Sequence, residues 1–156
     1  MRRIVSFNLL IKPMEILGRK DKIAFPSFGL DHVPVKIDSG AYSCTMHCAR
    51  IHLIQRDGKD VLEVVFLDPE ISGYTGEVKY FDAFQRKIVK SSNGYAQERF
   101  FIKGTVQLFG KTYETVFSLT ERTGLRNPIL LGRRLLNKRF LIDTSKVNLS
   151  YKFENQ

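Results

Sequence analysis

Apolar residues recur in this chain with period two, and tight-turn residues interrupt them at short intervals. Asp57-Gly58, Asn93-Gly94 and Gly110-Lys111 each separate two such runs. Asp-Gly and Asn-Gly suit the positive φ angles of a two-residue hairpin, and Gly-X suits a type II′ turn. The pattern predicts strands over 33–38, 51–56, 59–66, 80–90, 96–103, 105–109, 112–120, 129–131 and 140–142. Residues 68–76, with Pro69, Gly73 and Gly76, predict a loop, and 133–138 predict one short helix. Short strands joined by hairpins make an all-β domain. At 156 residues the chain is the length of one domain, taken as 1–156. A chain of that size buries enough surface to fold without a disulfide or metal staple.

Twenty-five Lys and Arg against sixteen Asp and Glu give a formal charge of +9, which favours an anionic partner. The basic residues come in scattered pairs such as Arg2-Arg3, Arg133-Arg134 and Lys138-Arg139, not in a basic helix or tail. A DNA-reading module is not indicated, and nucleic acid is not the expected partner. No segment reaches the roughly 18 apolar residues of a spanning helix, so no membrane association is expected. The N-terminus lacks the long apolar run and small-residue cleavage site of a secretory signal. Two cysteines, Cys44 and Cys48, fit a reducing compartment, and a cytoplasmic location is expected.

Cys44, His47, Cys48 and His52 are residue types that bind zinc, but all four lie within nine consecutive residues. Structural zinc sites draw ligands from separated segments so that four donors can converge. The expectation is therefore no metal, with small buried residues in a core turn. There is no phosphate loop G-x-x-x-x-G-K-[ST], no H-E-x-x-H and no G-x-S-x-G. No cofactor is expected.

Asp38-Ser39-Gly40-Ala41 stands out. A carboxylate ends an apolar strand, and a hydroxyl and a glycine follow at once. Backbone N–H groups can hold a carboxylate placed there, and the glycine lets the chain turn closely around it. Alone, the four residues also read as an ordinary turn. Far down the chain, Ile129-Leu130-Leu131-Gly132-Arg133 is an apolar strand closed by a glycine and followed by the short helix. Val35-Lys36-Ile37-Asp38-Ser39-Gly40-Ala41 together with this second element resembles the paired signature of the retropepsins, the single-lobe aspartic proteases. The chain is most similar to the bacterial branch long labelled ATP-dependent zinc proteases, which includes RimB. The resemblance spans about 16–151. It takes in Leu17-Gly18-Arg19, Phe25-Pro26, Gly29-Leu30, Met46-His47, Ser92-Asn93-Gly94, Glu98-Arg99 and Phe140-Leu141-Ile142-Asp143. Ser39 stands where threonine is common, and Tyr42 and Cys44 replace smaller or basic residues. Neither the ATP nor the zinc of the old label has a motif here.

The resemblance implies a retropepsin-like closed β-barrel and an aspartic endopeptidase. Such an enzyme needs two carboxylates on one water. Like charges that close cannot both ionise easily, so one acts as acid and the other as base. One Asp38 per chain then implies a homodimer with one Asp38 from each subunit. It implies Ser39, Gly40 and Ala41 as the active-site loop and Leu131, Gly132 and Arg133 as its support. Ser92, Asn93 and Gly94 would be the tip of a flap over a peptide or protein substrate. Members of the branch trim glutamates from a ribosomal protein's tail. Arg86, Lys87 and Lys90, beside the flap, are the candidates to hold such an acidic tail. The alternative is a catalytically inactive module of the same fold that binds an acidic protein or RNA. Tyr80, Phe81 and Phe84 near Arg86 and Lys87 would serve it.

Overall fold

The computed structural model describes residues 13–90, 94–121 and 127–156. Its strands are β1 (Glu15–Leu17), β2 (Lys20–Phe25), β3 (Leu30–Ile37), β4 (Cys44–Arg56), β5 (Lys59–Phe66) and β6 (Val78–Phe81). They continue as β7 (Gln85–Lys90), β8 (Ala96–Leu108), β9 (Lys111–Thr120), β10 (Ile129–Leu131) and β11 (Phe140–Ile142). Two short helices follow β10 and β11: α1 (Arg133–Leu136) and α2 (Leu149–Glu154). The architecture is all-β, as expected. No helix among the described residues is long and apolar enough to cross a membrane.

The main sheet runs β10-β3-β2-β8-β9-β4-β5-β6, with β7 on β8. Because β10 also pairs with β4, the first six strands of that order close into a ring. β1 and β11 form a separate parallel pair. The ring encloses an aromatic core. Phe28 stacks on Phe66 at 4.5 Å between ring centroids and meets Phe117 edge-on at 5.3 Å. Both Phe28 and Phe117 are fully buried, which stabilises the fold by roughly 1.5–3 kcal/mol for each side chain.

Several elements differ from the sequence expectation. Residues 96–108 form one strand, not two. Gly104 does not break it, because a side chain there would overlap the Phe28 ring. Residues 80–90 break at 82–84, because β6 pairs with β5 while β7 pairs with β8. The third turn centres on Phe109-Gly110 (φ 52° and 74°), with Leu108 opposite Lys111, one residue earlier than expected. Phe109 tolerates this conformation while its ring packs against Phe140 and Phe153. Asp57-Gly58 has positive φ at both positions, as the hairpin signal required. The cysteines and His47 lie in the long strand β4, not in a turn. β1, β2 and the second helix, α2, lie outside the elements that the sequence pattern predicts above.

α2 depends on one buried carboxylate from β2. Asp21 is 2% exposed and accepts hydrogen bonds from the Ser150 and Tyr151 N–H groups, both at 3.0 Å. Asp21→Ala would orphan those donors. It is expected to lower unfolding stability by about 2–3 kcal/mol, read from urea denaturation. Burial raises the Asp21 carboxyl above its ordinary value of 3.8, against the pull of those N–H donors. Its contribution to stability is therefore full below the unfolded value and is lost as pH rises through the folded one. The urea midpoint of wild type relative to Asp21→Asn should fall over that window.

Candidate active site

Strand β3 delivers Asp38 to the point where β10 wedges between β3 and β4. β10 lies parallel to β3 (Leu131 opposite Ile37) and antiparallel to β4 (Ile129 opposite Met46). The Asp38 N–H donates to the Leu131 carbonyl at 2.9 Å, so the strand that closes the ring also fixes the catalytic candidate. The Gly40 N–H donates to Asp38 Oδ1 at 2.9 Å, and the Ala41 N–H to the Asp38 carbonyl at 3.3 Å. A side chain at Gly40 would stand 3.2 Å from that carboxylate oxygen. Asp38 is half-buried, and Ser39, Gly40 and Tyr42 are exposed, so the loop faces outward from the chain.

The loop is held from below by the start of α1. The Arg133 and Arg134 N–H groups donate to the Ala41 and Tyr42 carbonyls, each at 2.8 Å. The Arg133 guanidinium donates to the Ser39 carbonyl at 2.9 Å. Gly132 lies where a Cβ would stand 2.7–2.8 Å from the carbonyl oxygens of Ala41, Tyr42 and Ser43. Only a residue without a side chain allows this approach. The structure thus brings together Asp38, Ser39, Gly40 and Ala41 with Leu131, Gly132 and Arg133, from segments some ninety residues apart. Of the flap candidates, Ser92 and Asn93 lie outside the described residues. Gly94, with φ 86°, stands just before β8, the return strand of the β7–β8 hairpin.

The basic candidates do not form one cluster. Arg86 and Lys90 pair across to Phe100 and Ala96 on one face of the hairpin, and Lys87 lies on the other. Arg86 is also committed to Glu98 at 3.1 Å and Asp60 at 4.0 Å. The Lys87 ammonium lies 4.9 Å from the Phe101 ring centre. His47 and Asp68, 2.9 Å apart and joining β4 to the loop after β5, carried no recognisable sequence signal.

Cys44, His47, Cys48 and His52 are strung along an extended strand, which spreads the four donors. Burial pushes both thiols up, and zinc needs the thiolate. Elemental analysis of protein purified without added metal is expected to find well under one zinc per chain. A full equivalent that survives dialysis would overturn this.

Comparison with known proteins places this geometry. A model of the family described as "Retropepsin-like aspartic endopeptidase RimB" matches residues 16–152. The chain belongs to this RimB-like family. Proteins named "Probable alpha-L-glutamate ligase" from Shewanella pealeana and Shewanella halifaxensis are 29% and 30% identical over 84% of the chain. One from Desulfotalea psychrophila is 27% identical over 83%. The chain spans about 29% of the length of these curated relatives. The crystal structure of Lpg0085 from Legionella pneumophila, described as of unknown function (DUF785), superposes with a TM-score of 0.65 at 20% identity. That match covers 87% of this chain and 98% of Lpg0085, and it shows a shared fold. The RimB-like chain is thus an all-β, retropepsin-like module whose Asp-Ser-Gly-Ala loop follows β3 and is held by the closure strand β10.

Proposed function

We propose that this RimB-like protein is an aspartic endopeptidase that acts as a homodimer and trims glutamate-rich protein tails in the cytoplasm. The observation that carries the reading is the outward-facing Asp38, held by the Leu131 carbonyl and the Gly40 N–H in a chain of this family. One subunit offers one such loop. A two-fold axis beside it would supply the second carboxylate. The pair would activate one water on the scissile carbonyl, one carboxyl as acid and its partner as base. Arg133, bound to the Ser39 carbonyl, would keep the loop in place when the second subunit docks.

Two features support an acidic substrate. The chain carries +9, and relatives named as glutamate ligases contain a segment like it. The tail that a glutamate-adding enzyme makes is what a glutamate-removing enzyme hydrolyses, so the two fit a single acidic tail. The test is incubation with a polyglutamyl peptide, read by mass spectrometry, beside light scattering of the protein alone and with peptide. Shortened peptides and a dimer mass are expected. A protein that stays monomeric at high concentration with substrate present, and leaves every acidic peptide intact, would overturn the reading.

A further inference from the structure

A second feature lies away from Asp38. Beneath the β6–β7 connection is a cavity of about 530 Å³, within the size range of ligand sites. Phe81, Phe84 and Phe101 wall it, and Lys103, Arg134 and Asp82 bring charge to it. The sequence had singled out Phe81 and Phe84, which the catalytic reading does not use. Their setting here is specific. Phe81 meets Phe28 and Phe66 edge-on, and Phe84 meets Phe100, so these walls are fixed by the core.

The placement of Lys103 follows from strand alternation. Ile102, Gly104, Val106 and Leu108 point into the ring, so Phe101 and Lys103 face outward. Gln85 and Val116, their cross-strand partners, line the same cavity. Lys87 and Arg99, directly opposite each other, continue this face along the hairpin. Among the described residues the ion pairs use His32, His47, Arg50, Lys79, Arg86 and Lys111, and neither Lys103 nor Arg134 is spent on a carboxylate.

We propose that this cavity is a docking site for an acidic peptide segment, separate from the catalytic loop. An apolar side chain of the segment seats among Phe81, Phe84 and Phe101, and a neighbouring glutamate or aspartate carboxylate is held by Lys103 and Arg134. The inference rests on the reading of the protein as one that acts on acidic chains, and it supplies the basic contact that Arg86 and Lys90, on the opposite face, do not make here. Arg134 also ties the cavity to the active site. Its N–H holds the Tyr42 carbonyl, while its side chain faces the docked segment.

The test uses full-length Asp38→Asn protein and a fluorescein-labelled octaglutamyl peptide carrying one phenylalanine, followed by anisotropy. Lys103→Gln and Arg134→Gln are each expected to weaken binding roughly tenfold, as the loss of a charge-assisted hydrogen bond does. Asp82→Asn is expected to tighten binding about twofold, and the all-glutamine peptide to lose it. Circular dichroism confirms that each variant is folded. Unchanged affinity in both cation variants would overturn the proposal, as would tighter binding of a single-stranded oligonucleotide through the same two residues. In protein with Asp38 intact, Lys103→Gln should raise KM for the acidic peptide and leave kcat alone. Cleavage with unchanged KM would remove the docking site and leave the peptidase. Binding that depends on Lys103 and Arg134 without any cleavage would remove the peptidase and leave the docking site.

Discussion

Asp38→Asn is expected to abolish peptide hydrolysis while leaving the fold in place. The amide keeps the shape of the carboxylate, and its oxygen can still accept the Gly40 N–H now bound at 2.9 Å. It cannot act as a base or hold a shared proton. Losing general acid–base catalysis alone lowers the rate by roughly 10²–10⁴-fold. The melting temperature should hold or rise, because the pair of like carboxylates in the proposed dimer would be relieved of its repulsion. In the proposed dyad mechanism one carboxyl acts as acid and its partner as base, so the wild-type rate should fall at both ends of the pH range. Cleavage of acidic peptides should weaken as salt rises, because exposed charges are screened beyond about 8 Å at physiological ionic strength. Full activity in Asp38→Asn would remove aspartic catalysis from this protein. Salt-independent, equal cleavage of acidic and neutral peptides would spare the catalysis and remove the polyglutamate reading.

The second large effect concerns Gly132. Gly132→Ala would push a methyl group to within 2.7–2.8 Å of the carbonyl oxygens of Ala41, Tyr42 and Ser43. These belong to backbone, not to flexible side-chain ends, so the loop itself must move. The expected loss of stability is about 3 kcal/mol, at the upper end of ordinary overpacking. Two of those carbonyls accept the Arg133 and Arg134 N–H groups, so the displacement would carry the Asp38 loop with it. Hydrolysis should therefore fall even in the fraction that stays folded. Gly104→Ala is the control. It overpacks Phe28 in the core and should lower the urea midpoint, yet leave kcat of the folded protein near wild type. Equal losses of kcat per folded molecule in both variants would show that Gly132 contributes only stability.

The comparison of these two glycines marks how far the sequence could be read. Gly132 was legible. The family resemblance carried by Ile129-Leu130-Leu131-Gly132-Arg133 together with Asp38-Ser39-Gly40-Ala41 implies it as support of the loop. Gly104 was not. The chain around it reads as a break between strands, and only Phe28, 76 residues away, shows that the empty space is filled. Asp57-Gly58 was legible because positive φ is a demand settled within two residues. The turn at Phe109-Gly110 was displaced because rings from Phe140 and Phe153 support a bulky residue in a conformation it otherwise avoids.

The same division holds for the site. By itself the sequence determined the all-β alternation, the carboxylate at a strand end and the Gly40 that lets the chain turn around it. These are local requirements of period, of φ and of side-chain size. The tertiary structure decided which strands meet. It let β10 pair with both β3 and β4 and so close the ring beneath Asp38. It split 80–90 between two partners, β5 for its first part and β8 for its second. It also gathered Phe81, Phe84, Lys103 and Arg134 around one cavity. Strand partners are chosen by burial summed over residues far apart in the chain, and a one-residue difference in register turns a side chain from one face to the other. No local pattern carries that information.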